Sequence, residues 1–321
     1  MQDKSVIVTG AFGALGQVDS EFIAQENTMA KWLKTSDTLT FQVADRVARI
    51  TLNRPDKRNA LTPLALAELS DALLEADDRT DVHAIVLAGA GRDFCAGYDL
   101  AGAYAGEGAA DGPTYRSQNG TIDDDCWQLE QTQKKTLAMF DIHKPVIAQV
   151  QGNCLAGGTD LALMCDMVVA ADDARIGFPA ARANGTPPQN MFVYHVGPQW
   201  AKRLLMTGDW ISGQDAARIG LVMEAVPAPE LDAAVTELAR RVALVDPELL
   251  SAHKRVVNLS LELAGARTMQ RLSAEMDARA HLSRGPRRSQ FRADMAEAGL
   301  KTALTNRDAP FGDGQVRVKA R

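Results

Sequence analysis

Residues 144–162 read KPVIAQVQGNCLAGGTDLA, and this stretch decides the fold. Residues 145–150 are mainly apolar, which predicts a strand that runs into Gly152. The pair Gly157-Gly158 opens a segment that we expect to be helical around residues 160–166. A strand followed by glycines and a helix presents backbone N–H groups at the end of the strand, where folds of this kind bind ligands.

A second junction of this kind follows residues 84–89, which read AIVLAG and predict a buried strand ending in glycine. Upstream, residues 40–43 and 47–52 alternate apolar and polar positions on either side of a short turn, which predicts a hairpin. Residues 167–171 predict a further strand. Strands that alternate with helices favour an α/β fold with a mainly parallel arrangement.

Three helical regions are expected. Thr62 is placed to cap the first one. Its apolar positions are Leu66, Leu69, Leu73 and Leu74. A second helix is expected over residues 126–140, after a loop rich in Gly, Ala, Asp and Ser at residues 101–125. The tail from Asp246 is highly charged and is expected to be mainly helical.

The chain divides by pattern into an N-terminal extension (1–36), a core (37–245) and a helical C-terminal region (246–321). Residues 9–16, TGAFGALG, resemble the glycine loop of short-chain dehydrogenases. A dinucleotide site would also need a second buried strand and a Tyr-x-x-x-Lys pair, but residues 17–35 are polar and no tyrosine has that spacing. We interpret the extension as lying outside the fold, with a nucleotide-dependent oxidoreductase as an alternative.

Composition narrows the function further. The formal net charge of the 321 residues is -6, which argues against a general nucleic-acid binder. The four cysteines form no CxxC pair, so neither a zinc site nor a disulfide framework is expected. No apolar run is long enough for a membrane span and no secretory signal is evident, so a cytoplasmic location is the default expectation.

Several segments together resemble the crotonase superfamily, the enoyl-CoA hydratase/isomerase family, and they occur in that family's order. They are ITLNRP at 50–55, NAL at 59–61, FCAGYDL at 94–100, KPVIA at 144–148, AGGTDLA at 156–162, CD at 165–166, TGD at 207–209 and AARIGLV at 216–222. The resemblance covers roughly residues 38–314. It implies a spiral of ββα units with a helical C-terminal region that assembles into homotrimers, often paired as hexamers.

The resemblance also implies a chemistry, in which two backbone N–H groups hold the carbonyl oxygen of an acyl-CoA thioester as an enolate forms. By residue matching, these donors are Ala96 and Gly157. The implied CoA contacts are Lys57, Arg58, Ala96, Gly97, Tyr98, Asp99 and Gly157, with Lys301 and Phe311 as weaker candidates in the tail. Coenzyme A enters as part of the substrate, and neither a separate cofactor nor a metal is expected.

The acid–base positions depart from the family pattern. Asp160 stands in the first of two glutamate positions, and Ala180, which cannot transfer a proton, stands in the second. Asp160 is therefore the candidate catalytic carboxyl, although it could instead satisfy backbone donors at a helix N-terminus. Substitute proton donors are sought among Tyr98, Tyr194, His195 and His143.

Three functional hypotheses stand beside the oxidoreductase, and the first rests on the ordered set of family segments. The leading hypothesis is an enoyl-CoA hydratase or isomerase that works through a thioester enolate with Asp160. The alternatives on the same scaffold are a hydrolase, a decarboxylase or a C–C lyase. A non-catalytic acyl-CoA-binding protein is the third possibility.

Overall fold

The computed structural model describes residues 30–34, 36–100, 115–116 and 120–319. The glycine-rich stretch at residues 9–16 lies outside these residues, as does most of the loop predicted at residues 101–125. The predictions made for those two segments therefore stay predictions.

The strands form two sheets. They are β1 (Leu39–Ala44), β2 (Val47–Leu52), β3 (Ala84–Gly89), β4 (Val146–Val150), β5 (Asn153–Leu155), β6 (Met167–Ala171), β7 (Arg175–Gly177), β8 (Trp210–Ser212), β9 (Glu224–Val226) and β10 (Gln315–Val316). The larger sheet has the order β1-β2-β3-β4-β6-β9 and is parallel from β2 to β9. The smaller sheet has the order β10-β8-β7-β5.

The α-helices follow the strands and then continue alone as the C-terminal region. They are α1 (Pro63–Asp78), α2 (Ile122–Thr136), α3 (Ala138–Asp141), α4 (Gly157–Ala162), α5 (Phe192–Thr207), α6 (Gly213–Arg218), α7 (Leu231–Ala243), α8 (Pro247–Leu263), α9 (Ala266–His281) and α10 (Pro286–Asp308). The predicted mixed α/β fold and helical tail are confirmed.

The predicted hairpin is β1–β2, and its turn explains why it forms. Asp45 and Arg46 connect the strands with φ angles of 49° and 65°. Positive φ at both central residues is the geometry of a type I′ turn, whose twist matches that of the paired strands. The hairpin leads into the parallel part of the sheet through the pairing of β2 with β3.

Helix α1 begins where the sequence predicts. The Thr62 hydroxyl accepts a hydrogen bond from the Ala65 N–H at 3.1 Å, and Pro63 occupies the first turn, where its missing N–H costs nothing. Leu66, Leu69 and Leu73 are buried against the sheet, as predicted. Leu74, the fourth apolar position, is 39% exposed, because it follows Leu73 and turns away from the buried face.

Two helices differ in their bounds from the prediction. Helix α2 begins at Ile122 instead of residue 126, because the Thr121 hydroxyl caps it by accepting the Asp124 N–H. It ends at Thr136, and the short α3 follows. Helix α4 begins directly at Gly157 and ends at Ala162, so the helical segment lies earlier than the expected residues 160–166.

None of the described helices combines the length and the apolar content that crossing a membrane requires.

Candidate active site

Three chain segments run side by side at the carboxyl end of β4. Cys95 and Cys154 are free cysteines that pair through their backbones in an isolated parallel β-bridge. In this bridge the Cys95 N–H donates to the Asn153 carbonyl at 2.9 Å, and the Cys95 carbonyl accepts from the Leu155 N–H at 3.0 Å. On the other side Leu61 bridges to Tyr98. The predicted CoA loop, the FCAGYDL segment and the glycine pair are therefore brought together, as the family resemblance implies.

The structure decides which backbone N–H groups are available to a ligand. The Ala96 N–H donates to the Arg58 carbonyl at 3.0 Å, so the prediction that Ala96 supplies a free donor is wrong. Leu61 bonds the peptide groups on both sides of Tyr98, which turns the Tyr98 N–H away from Leu61. Within the described ranges, no acceptor is found for the N–H of Tyr98 or of Gly157.

The chain segments that carry these two N–H groups lie close together in space, although they are far apart in the sequence. A Cβ added to Gly97 would lie only 3.4 Å from the Gly157 nitrogen, and one added to Gly157 would lie 3.0 Å from the Tyr98 ring. Gly97 has a φ of 109°, which a residue with a side chain rarely adopts. The glycines thus permit the close approach that places the Tyr98 and Gly157 donors side by side.

Ala156 carries strain at the start of α4. Its φ of 49° and ψ of -116° fall outside the regions that residues with a side chain normally occupy. Its own N–H is held by the Gly177 carbonyl at 2.9 Å. Because its ψ sets the next peptide plane, Ala156 orients the Gly157 N–H, a role that no residue pattern indicates.

Asp160 lies on the same short helix and is only 1% exposed. Its Oδ2 accepts a hydrogen bond from the Tyr98 hydroxyl at 3.1 Å, and the nearby backbone N–H of Gln189 helps to lower its pKa. Its Oδ1 has no hydrogen-bond partner among the residues described. No hydrogen bond from the carboxyl to the first N–H groups of its own helix is found among the described residues, so its role as a helix-terminal acid stays a prediction.

Electrostatics favour the protonated form of this carboxyl. Burial raises the pKa of Asp160 well above its ordinary value, the Tyr98 hydrogen bond lowers it in part, and the charge of Asp277 raises it again. Burial and the Asp160 charge likewise raise the pKa of Tyr98. A carboxyl with a raised pKa is a stronger base once ionised and a better match for proton transfer near neutral pH.

The position that matches the family's second glutamate carries no acid. Ala180 lies in a short 3-10 helix, Pro179–Arg182, and its carbonyl accepts the N–H groups of Asn184 and Gly185. Buried polar atoms without a partner among the described residues include Asn184 Nδ2, Gln189 Oε1, Asn190 Oδ1 and Gln270 Oε1.

The loop proposed to meet CoA is held rigidly by its own side chains. Asn59 accepts from the Arg54 N–H at 2.9 Å and donates to the Asp93 carbonyl at 2.7 Å. Arg54 pairs with Asp99 at 3.1 Å. The side chains of Lys57 and Arg58 are exposed at the tip of this loop, beside the Tyr98 segment.

The other candidate proton donors are bound elsewhere. The Tyr194 hydroxyl donates to the Ala264 carbonyl at 3.3 Å, His195 contacts the Leu163 carbonyl at 3.0 Å, and His143 lies 3.5 Å from Asp77. Of the four, only Tyr98 contacts Asp160 in the described structure. In the tail, Phe311 stacks on Arg182, and Lys301 is exposed.

Comparison with known proteins agrees with this architecture. The model of the family Enoyl-CoA hydratase/isomerase matches residues 42–288. A hydroxycinnamoyl-CoA hydratase-lyase of Pseudomonas fluorescens is 33% identical over 75% of this chain and 85% of its own length. A 2,3-dehydroadipyl-CoA hydratase of Escherichia coli strain K12 is 32% identical over 68% of this chain and 81% of its own.

A solved structure shows the same fold along almost its whole length. The crystal structure of an enoyl-CoA hydratase from Mycobacterium smegmatis superposes with a TM-score of 0.80 at 36% identity, covering 87% of this chain and 96% of that one. The chain therefore belongs to the enoyl-CoA hydratase/isomerase family and is an acyl-CoA-acting enzyme of the crotonase type.

Proposed function

We propose that the chain stabilises the enolate of an enoyl-CoA thioester with the N–H groups of Tyr98 and Gly157, and moves a proton with Asp160. The observation that carries this proposal is that the N–H groups of Tyr98 and Gly157 have no acceptor among the described residues, while the Tyr98 hydroxyl binds the buried, incompletely bonded carboxyl of Asp160 at 3.1 Å. Donors aimed at a developing oxyanion in a dry site contribute several kcal/mol. The reaction is hydration or isomerisation of the double bond.

A single carboxyl is sufficient for this chemistry. In isomerisation, ionised Asp160 removes a proton from a carbon next to the double bond, the electron pair moves onto the thioester oxygen, and the same proton returns to another carbon of the chain. In hydration, Asp160 takes the proton of the attacking water and delivers it to the carbon next to the thioester. Neither route needs an acid at Ala180.

The test uses wild-type protein with three thioesters: crotonyl-CoA, 2,3-dehydroadipyl-CoA and a hydroxycinnamoyl-CoA. Loss of the conjugated thioester absorbance reports hydration, and mass spectrometry identifies the product. Deuterium uptake next to the thioester of a saturated acyl-CoA reports enolate formation independently. Binding of these esters with neither turnover nor exchange would favour the non-catalytic binding protein.

A second candidate is C–C cleavage after hydration, because one relative carries the name hydratase-lyase. The buried amide oxygens of Gln189 and Gln270, which have no partner among the described residues, would suit an acyl group that carries a hydroxyl. Release of an aldehyde from hydroxycinnamoyl-CoA would establish this reaction, and release of free CoA would indicate hydrolysis.

We also propose that the chain assembles as a homotrimer or hexamer in the cytoplasm, with CoA present only as part of the substrate. Helix α8 supports the assembly because it exposes large apolar side chains. They are Leu249, Val256, Val257, Leu259 and Leu263. Light scattering that gives a monomer mass at micromolar concentration would contradict the assembly.

A further inference from the structure

A buried chain of ionisable groups lies on helix α9, outside the positions that the family resemblance marks. Asp277 is only 4% exposed, and its Oδ1 lies 3.5 Å from His281 Nε2. His281 Nδ1 lies 2.8 Å from the carboxylate of Asp125 on helix α2. A carboxyl this deeply buried is unusual unless it has a partner or a function.

One short segment connects Asp277 with the candidate active site. The Thr186 N–H donates to Asp277 Oδ1 at 2.7 Å, and three residues further along the backbone N–H of Gln189 is close enough to Asp160 to lower the pKa of that carboxyl. Three residues of extended chain span at most about 11 Å, so the backbone N–H groups of Thr186 and Gln189, which face the two carboxyls, are no further apart than that. The residues between the donors are prolines, which have no N–H and a restricted φ.

The segment approaches Asp277 closely because residue 185 is glycine. A Cβ at Gly185 would lie 2.3 Å from Asp277 Oδ1 and 3.1 Å from His281 Nε2. The segment therefore packs directly onto the carboxyl and the imidazole.

We propose that Asp277 is a positioning residue of the reaction, which acts through residues 186–189 on the placement and the charge state of Asp160. This inference rests on the proposed function, in which Asp160 moves the proton. Asp277 thus supplies a second carboxyl from helix α9, whereas the position of the family's second glutamate holds Ala180.

The groups facing Asp277 set its charge. Burial raises the pKa of Asp277 to about 6, and the charges of His281 and Arg288 lower it in part, while that of Asp125 raises it. Burial lowers the pKa of His281, but the Asp125 hydrogen bond and the Asp277 charge outweigh it, so that the net pKa is raised. Above about pH 6, Asp277 is thus mainly ionised beside a His281 that favours its cationic form.

The sign of the effect on Asp160 follows. The negative charge of Asp277 raises the pKa of Asp160 and that of Tyr98. A neutral residue at position 277 removes this contribution, so Asp160 ionises at a lower pH.

The experiment compares pH profiles of kcat/KM for the wild type, Asp277→Asn and Gly185→Ala. The limb of the pH profile that disappears in Asp160→Asn is assigned to the ionisation of the Asp160 carboxyl. In Asp277→Asn this limb is expected to move to lower pH by about one unit. Gly185→Ala displaces the carboxyl without altering any ionisable group, and is expected to move the limb in the same direction by less.

The matched control is Asp294→Asn on helix α10. Asp294 is also a buried aspartate, and it accepts hydrogen bonds from Gln290 at 2.7 Å and Asn306 at 3.0 Å. Its profile should overlay that of the wild type. A folded Asp277→Asn or Gly185→Ala variant whose limb also overlays the wild type would overturn the proposal.

A second readout does not depend on turnover. The infrared carboxyl stretch of protein labelled at the aspartate side-chain carbon, with Asp160→Asn for assignment, follows the protonation of Asp160 directly. Its titration should move to lower pH in Asp277→Asn, and an unchanged titration would overturn the proposal. If the wild type transforms no acyl-CoA, the proposed function fails, while this titration still decides whether Asp277 acts on Asp160.

Discussion

Asp160 and Lys254 are both ionisable side chains deep in the described part of the chain, but their surroundings differ. Lys254 donates to the carbonyls of Met139 at 2.7 Å and Lys144 at 3.0 Å, and it pairs with Asp166 at 2.9 Å. Its three N–H donors are thus all used. Asp160 has one oxygen with partners and one, Oδ1, without any in the described residues.

This difference distinguishes a structural role for Lys254 from a chemical role for Asp160. A buried cation with every donor satisfied fixes α8 against the chain around Met139, and it has no remaining capacity to bind a ligand. A buried carboxyl with a free oxygen carries a desolvation cost that the fold does not recover, which is typical of a site that awaits a substrate.

The largest expected effect tests the Asp160 side of this comparison. Asp160→Asn removes the proton-transfer group, so kcat/KM should fall by about 10²–10⁴-fold. Because burial already favours the uncharged carboxyl, the neutral amide should change the free energy of unfolding by less than about 1 kcal/mol. Steady-state kinetics and urea unfolding measure the two quantities. A folded variant with wild-type turnover would remove Asp160 from the mechanism.

For Lys254 we expect the opposite result, a loss of stability without a loss of turnover. Lys254→Met leaves the carbonyls of Met139 and Lys144 without a donor and Asp166 without a cation. The free energy of unfolding should fall by about 2–4 kcal/mol, while turnover per folded molecule is unchanged. Lys202→Met, at an exposed position, is the control and should change stability by less than about 0.5 kcal/mol. A stable but inactive Lys254→Met would contradict the comparison.

A smaller effect sharpens the description of the Asp160 site. Tyr98→Phe removes the hydroxyl that donates to Asp160 Oδ2, and kcat/KM should fall about tenfold. Because this hydrogen bond lowers the pKa of Asp160, its loss should move the Asp160 limb to higher pH, opposite to the shift expected for Asp277→Asn. Tyr194→Phe, whose hydroxyl meets a carbonyl at the surface, should leave the profile unchanged. A limb that moves downward in Tyr98→Phe would show that the hydroxyl has another role.

The smallest effect concerns the exposed CoA loop. Lys57→Ala should raise KM for an acyl-CoA about two- to fivefold with kcat unchanged, because an exposed cation contributes modestly and equally to the ground and transition states. Lys134→Ala, an exposed lysine on α2, should leave KM as it is. Equal KM values for Lys57→Ala and the wild type would place the CoA phosphates elsewhere.

Local features were predictable from the sequence because neighbouring residues determine them. The Thr62 cap, the turn at Asp45 and Arg46, and the helix at Gly157 all depend on contacts within a few residues. The choice of Ala96 as an oxyanion donor failed because residue type does not encode which way a peptide N–H points. The Ala96 N–H is directed at the Arg58 carbonyl, and the β-bridge between Leu61 and Tyr98 turns the Tyr98 N–H away from Leu61.

Asp277 was missed for a different physical reason. It lies on a helix in a strongly charged tail, where an aspartate normally faces water. Only the packing of α9 on α2 and on the segment from Gly185 to Gln189 buries it. Such long-range packing has no signature in spacing or composition.

The prolines at positions 187 and 188 have a consequence for protein engineering. Since they restrict the chain between Thr186 and Gln189, a displacement of α9 is passed to Asp160 without being absorbed by the loop. Substitutions on the far side of α9, remote from the acyl group, therefore offer a way to adjust acid strength without redesigning the cavity that selects the substrate.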